Sequence, residues 1–110
     1  MLGSTAVARP QTSVVVVADG EVVGTCRLLA EGSEVKLGRM AVASGHRGRG
    51  LAAELLVEAE AQAREMGAQR IALAAQLGAR ALYERAGYAP YGDVFLDAGI
   101  EHVMMGKALG

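Results

Sequence analysis

The chain has 110 residues, 52% of them hydrophobic but only 4% aromatic, so the expectation is one small domain with a core of Val, Leu, Ala and Met. Its 12 acidic residues outnumber 11 basic ones, for a formal charge of −1, which argues against a coat for nucleic acid, where a basic excess is the rule. Cys26 is the sole cysteine, so no intramolecular disulfide forms and a reducing cytoplasm is the expected location; the first residues carry neither a membrane-spanning apolar run nor the layout of a signal peptide.

Residues 1–12 are small and polar, broken by Pro10, and read as a lead-in with at most a short strand at Thr5 to Ala8; the domain proper takes residues 13–110. Val14 to Ala18 is an unbroken, mostly β-branched run, the pattern of a strand covered on both faces. Asp19-Gly20 is a two-residue hairpin signal, and Glu21 to Ala30 reads as the return strand. Glu31-Gly32-Ser33 marks another turn before a third strand, Glu34 to Val42.

The period then changes. Leu51, Ala52, Leu55, Leu56, Ala59, Ala63 and Met66 recur at helical spacing, with Gly67 placed as a C-terminal cap and the acidic stretch from Glu54 to Glu65 read as a solvated face. Gln69 to Ala74 reads as a fourth strand, which after a helix implies a parallel crossover. A second helix is expected over Leu77 to Ala86, stopped by Gly87. Two further strands, Tyr88 to Tyr91 and Ile100 to Lys107, are joined by a loop through Asp93 and Asp97. The order β-β-β-α-β-α-β-β predicts an α/β (α+β) fold: a single mixed, mostly antiparallel sheet with two helices.

The stretch Met40 to Ala52 concentrates the chemistry. A strand ends at Val42, and a basic, glycine-rich loop, His46-Arg47-Gly48-Arg49-Gly50, leads into the helix at Leu51. Glycines let backbone N–H groups approach an anion, the helix start adds its positive dipole end, and arginines add fork-shaped donors. That is the chemistry of a phosphate site. No His, Cys or carboxylate cluster has metal-ligand spacing. Arg27 and Arg39 interrupt apolar strands and need partners, with Asp93, Asp97 or Glu101 as candidates; such a network either shapes a pocket or braces the sheet.

Arg47, Gly50 and Ala52 fit an R-x-x-G-x-G/A pattern, which resembles the acyl-CoA signature of the GNAT N-acetyltransferase superfamily. Gln76, Ala79, Leu82, Tyr83, Gly87 and Tyr88 resemble that family's N-x-x-A-x-x-L-Y-x-x-x-G-F/Y segment, with Gln in place of Asn. The tail from Tyr91 to Met105 is similar to that of the ElaA/YjcF-like subgroup, as are Gly24 to Leu28 and Gly38 to Val42. The resemblance runs from Val14 to Lys107. It implies a GNAT-like acyl-CoA acyltransferase fold and acetyl-CoA as cosubstrate. Met40, Ala41 and Val42 would face the acetyl and pantetheine arm, and His46, Arg47, Gly48, Arg49, Gly50, Leu51 and Ala52 would hold the pyrophosphate. Gln76 and Tyr83 would complete the donor site.

It further implies direct attack by an amine, with Tyr83 as the general acid that protonates the departing thiolate. The family's occasional basic Glu falls at Lys36, so the base stays open between Glu34, which is two residues away on the same sheet face, His102, and a water chain. Relatives carry a leading strand and helix pair that form part of the acceptor wall. The residues before Val14 leave no room for them, so an N-terminally shortened domain is expected. The apolar pair Val14–Val17 and Val22–Val23 then predicts a homodimer or higher oligomer. The acceptor is a small-molecule or peptide amine, with no nucleic-acid or membrane partner. The rival expectation is a non-catalytic acyl-CoA-binding or interaction module derived from the same family.

Overall fold

The computed structural model describes residues 11–18, 20–43, 45 and 50–110. The suggested strand at Thr5 to Ala8 therefore lies outside the described residues. β1 (Gln11–Ala18), β2 (Glu21–Glu31) and β3 (Glu34–Val42) form the expected meander, β1 starting two residues inside the presumed lead-in. Pairing of Ala18 with Glu21 leaves two residues for the first turn, the connection that Asp19-Gly20 signalled. α1 (Leu51–Glu65) is followed by β4 (Arg70–Gln76), a short 3₁₀ turn (Leu77–Ala79), α2 (Arg80–Arg85), β5 (Ala89–Asp97) and β6 (Ile100–Ala108).

The strands form one sheet in the order β1-β2-β3-β4-β6-β5. Only β3 and β4 pair in parallel, as the strand–helix–strand order requires; the other neighbours are antiparallel. The fold is thus the mixed, mostly antiparallel sheet with two helices that the sequence predicts. α1 presses Leu55, Leu56, Ala59 and Ala63 onto one sheet face, against Val23, Cys26, Leu28, Val35, Ile71, Leu73 and Met105. The near-absence of aromatic side chains from this core follows from the composition.

Three expectations are corrected. β1 is not covered on both faces: Val14 and Val16 are buried, whereas Val15 and Val17 are 48% and 56% exposed. A strand alternates its side chains, and α1 covers one face only. The acidic face of α1 is not wholly solvated, because Glu60 is buried at 6% exposure between Leu56 and Ala63 on the inward side. The loop through Asp93 and Asp97 is strand: β5 continues to Asp97 past an irregularity between Tyr91 and Phe95. The turn comes later, at Ala98-Gly99, both with positive φ (53° and 77°), the backbone of a tight two-residue hairpin.

Candidate active site

The parallel ladder between β3 and β4 is short. It pairs Glu34 with Arg70 and ends at Leu37 with Leu73. Beyond that point the strands separate, because β3 is bent. Arg39 and Met40 together oppose the single residue Cys26 of β2, a bulge, and Arg39 takes a φ of 54°. Left-handed backbone at a non-glycine residue typically costs about 1–3 kcal/mol and collects at functional sites. The result is a cleft of ≈ 310 Å³ between the diverging ends, lined by Gly38, Arg39 and Met40 on one side and by Ala74, Gln76, Ala79, Tyr83 and His102 on the other.

Tyr83 enters the cleft from α2. Its Oη lies 3.9 Å from Met40 Sδ, so the hydroxyl meets only a weak acceptor there. Its ring packs edge-on against Tyr88, with centroids 6.2 Å apart. Its carbonyl accepts hydrogen bonds from the N–H groups of Ala86 and Tyr88, both at 3.0 Å, which closes α2 and fixes the residue. Burial, with a smaller contribution from Cys26, pushes the Tyr83 hydroxyl above the ordinary tyrosine range. It therefore holds its proton.

Behind Tyr83 stands a buried polar network. Tyr88 Oη donates to Glu60 Oε2 at 2.9 Å, and Lys107 Nζ donates to Glu60 Oε1 and to the Ala86 carbonyl, each at 2.9 Å. One carboxylate thereby ties α1, β6 and the end of α2. Burial first, then the charge and hydrogen bond of Glu60, raise the Tyr88 hydroxyl out of the physiological range.

His102 is buried at 8% exposure and lines the cleft from β6. Its Nδ1 lies 2.8 Å from the Ile100 carbonyl, an acceptor only, so Nδ1–H donates there and the tautomer that this contact selects has its lone pair on Nε2. Phe95 stacks on the ring, 5.8 Å between centroids. α1 is preceded by Gly50, which has φ 75° and no side-chain cap, and its first helical hydrogen bond runs from Glu54 N–H to the Gly50 carbonyl. The N–H groups of Leu51, Ala52 and Ala53 have no partner within the helix. No described neighbour lies within 4 Å of where a Gly50 Cβ would stand.

Residues 4–109 match the acetyltransferase (GNAT) domain. The chain belongs to the GNAT acetyltransferase family. UPF0039 proteins of Mycobacterium tuberculosis and Mycobacterium bovis are 40% identical to it over 91 residues, covering 79% of this chain and 56% of theirs. The chain thus spans little more than half the length of these curated relatives. An acyl-CoA N-acyltransferase from Pseudomonas aeruginosa superposes with a TM-score of 0.81 at 27% identity, over 96% of this chain and 74% of its own. An aminoglycoside 6′-N-acetyltransferase solved with coenzyme A superposes with a TM-score of 0.79 over 90% of this chain and 73% of its own; at 18% identity the likeness is one of fold.

In this GNAT domain, Met40, Gln76, Tyr83 and His102 converge on one cleft. Ala41 and Val42 continue β3 past it, paired with Thr25 and Gly24. A Cβ on Gly24 would stand 3.7 Å from the Ala41 carbonyl oxygen and 3.8 Å from Leu55 Cδ2, so the first turns of α1 lie beside this end of β3. His46, Arg47, Gly48 and Arg49 lie outside the described residues. Glu34 is not brought to the cleft. It starts β3, where Arg70 Nε lies 3.7 Å from its carboxylate, six residues or about 20 Å of strand from Met40. Sharing a sheet face with Lys36 fixes its side, not its distance. Arg27 and Arg39 are exposed and, among the described residues, make no ion pair with Asp93, Asp97 or Glu101.

Composition and periodicity do not announce the Glu60–Tyr88–Lys107 network. One signal was available: Glu60 sits four residues after Leu56 and three before Ala63, on the apolar stripe. Among the described residues, no group of three His, Cys, Asp or Glu side chains is placed to hold a metal.

Proposed function

We propose that the chain is an acetyl-CoA-dependent N-acetyltransferase that passes the acetyl group to a primary amine by direct attack. The observation that carries this reading is the cleft where β3 and β4 part, with the Tyr83 hydroxyl beside Met40 and the unpaired Nε2 of His102 on the same wall. The uncapped start of α1 at Gly50 suits the pyrophosphate of the thioester, with Leu51 and Ala52 supplying N–H donors and Arg47 and Arg49 charge. Met40 to Val42 suit the acetyl and pantetheine arm, and Gln76 a polar contact opposite.

The thioester supplies the acetyl carbon. The amine nitrogen forms its bond to that carbon as the carbon–sulfur bond breaks, giving an amide and a free thiol. His102 Nε2, directly or through water, takes the proton that the amine sheds, and Tyr83 Oη gives one to the thiolate. A thiol has an ordinary pKa of about 8.5, so departure at neutral pH gains from a donor that burial keeps protonated. Glu34 has no role in this scheme.

The membership narrows to the ElaA/YjcF-like subgroup on the tail from Tyr91 to Met105. The valine patch of Val15, Val17 and Val22, 48–59% exposed on the sheet face opposite α1, supports a homodimer. Sedimentation at micromolar concentration tests it, and a stable monomer rejects it. The sole cysteine and the net charge of −1 support a cytoplasmic protein without a nucleic-acid partner. Among the described residues, no helix is long and apolar enough to cross a membrane.

The deciding experiment is thiol release from acetyl-CoA across polyamines, aminoglycosides and peptide amines. Release with any of them supports the transferase. Calorimetric acetyl-CoA binding without release from any amine rejects it in favour of an acyl-CoA-binding module.

A further inference from the structure

A second depression, of ≈ 260 Å³, adjoins the cleft and is lined by Arg27, Leu29, Lys36, Leu37, Gly38 and Arg39. It shares Leu37, Gly38 and Arg39 with the cleft that holds Tyr83. Alternation along β2 fixes its side. Cys26 and Leu28 point into the core under α1, so Arg27 and Leu29 point to the opposite face, and Lys36 is the register partner of Leu29.

Three cations line this groove and no carboxylate does. Lys36 Nζ is 3.4 Å from Glu31, an ion pair whose side chains are 50% and 30% exposed, so that solvent partly screens it. Arg27 and Arg39 have no ion-pair partner among the described residues. Net charge does not explain the cluster, because the chain as a whole is at −1. Nor does backbone conformation select an arginine at position 39, whose φ of 54° is one that glycine or asparagine adopts more easily.

We propose that this groove receives an anionic group of the acceptor, so that the substrates are amines that also carry a carboxylate or a phosphate; the proposal rests on the transferase reading above. Two guanidinium forks match either oxyanion. The groove lies on the face away from α1, so an acceptor anchored there reaches the cleft from the side opposite the helix start offered to the donor. The cations have a second effect. Positive charge near an ammonium favours its neutral form, and only the neutral amine attacks a thioester. Binding and deprotonation of the acceptor are thus served by the same residues.

The test compares matched pairs in the thiol-release assay: phosphoethanolamine against ethanolamine, and lysine against cadaverine. The expected result is a kcat/KM at least about tenfold higher for the anionic member of one pair, a ratio that falls about tenfold or more in the double variant Arg27→Gln, Arg39→Asn. Both residues are exposed, and asparagine tolerates the left-handed backbone at position 39, so the variant is expected to fold. The pair with the larger ratio identifies phosphate or carboxylate. Robust release with no preference in either pair overturns the proposal and leaves the transferase standing. A variant that raises KM for acetyl-CoA and leaves the ratio intact also overturns it, since the groove would then serve the donor. If no amine releases thiol, the transferase reading fails by itself, and the groove is judged by NMR titration with phosphoethanolamine and ethanolamine. Shifts of arginine Nε–H signals seen with phosphoethanolamine alone and lost in the variant support an anion-binding groove; equal or absent shifts reject it.

Discussion

Tyr83 Oη stands 3.9 Å from Met40 Sδ, bringing the short helix α2 against the bent part of β3. The hydroxyl is held at the mouth of the strand gap without a strong acceptor, so its proton is available to a leaving group. Replacing Tyr83 by Phe keeps the edge-on packing against Tyr88 and deletes only the hydroxyl. The expected outcome is a fall in kcat of about 10²- to 10⁴-fold with calorimetric acetyl-CoA affinity retained. Equal loss of turnover and affinity would reject the general-acid role. Burial places the Tyr83 ionisation above the ordinary tyrosine value of about 10. The protonated, active form therefore persists to higher pH, and the alkaline limb of the wild-type profile is expected above about pH 10 and absent from the Phe variant.

Gly50 gives a second, separable prediction. Its φ of 75° favours glycine, and the space around it is open. A Cβ there meets no described neighbour within 4 Å, but valine is strained by the backbone, at about 1–2 kcal/mol, and is expected to obstruct the approach to the N–H groups of Leu51 and Ala52. Asparagine is the control for backbone strain, because it adopts left-handed φ readily. Gly50→Val is expected to abolish measurable acetyl-CoA binding. Gly50→Asn is expected to keep the wild-type melting temperature while weakening binding. Unchanged affinity in both would mean that the helix start does not hold the donor.

How much of this was legible beforehand depends on the kind of signal. α1 and the meander were readable because apolar periodicity and glycine punctuation agree there, residue by residue. Gly92 and Asp93 carry loop chemistry and so predict a loop, yet they sit in an irregular stretch of β5, whose pairing resumes at Phe95. The bend at Arg39 had no signal at all, since arginine does not advertise a positive φ. Met40, Gln76 and Tyr83 are singled out by resemblance and His102 by the chemistry of its side chain, and all four line one cleft. Glu34 shows the limit of strand parity: it assigns a face, and the ladder to Arg70 decides the end.

Glu60 supports the site mechanically, and its removal has a predictable cost. Glu60→Ala leaves Tyr88 Oη and Lys107 Nζ without their shared carboxylate. Hydrogen bonds to charged groups contribute about 1.5–3 kcal/mol each, but the Lys107 side chain is 26% exposed and recovers part of its hydration. The expected loss is about 2–4 kcal/mol, a fall in melting temperature on the order of 10 °C. Glu60→Gln keeps an acceptor for Tyr88 and is expected to cost less. A variant as stable as wild type by thermal denaturation would show the network to be ornamental.

Three acids that burial keeps protonated, Cys26, Tyr83 and Tyr88, make stability depend on alkaline pH, and the sign follows from proton binding. Burial pushes the Cys26 thiol from its ordinary 9.0 up to about 11. Between those values the unfolded chain has lost this proton and the folded one keeps it, so unfolding is increasingly favoured as pH rises. The contribution is intact below pH 9 and lost on the way to about 11, with a slope of at most about 1.4 kcal/mol per pH unit. Tyr88 acts in the same direction from the ordinary tyrosine value of about 10 upward, through burial and then Glu60. Urea midpoints between pH 8 and 11 are therefore expected to fall for the wild type from about pH 9. Cys26→Ala is expected to begin lower, because it leaves a small cavity, and to stay flat until Tyr83 and Tyr88 begin to titrate. Tyr88→Phe is expected to share the early fall and to descend less steeply than the wild type above it, where Tyr83 still titrates. Parallel curves for wild type and Cys26→Ala would show that the thiol ionises alike in both states and that burial does not hold its proton.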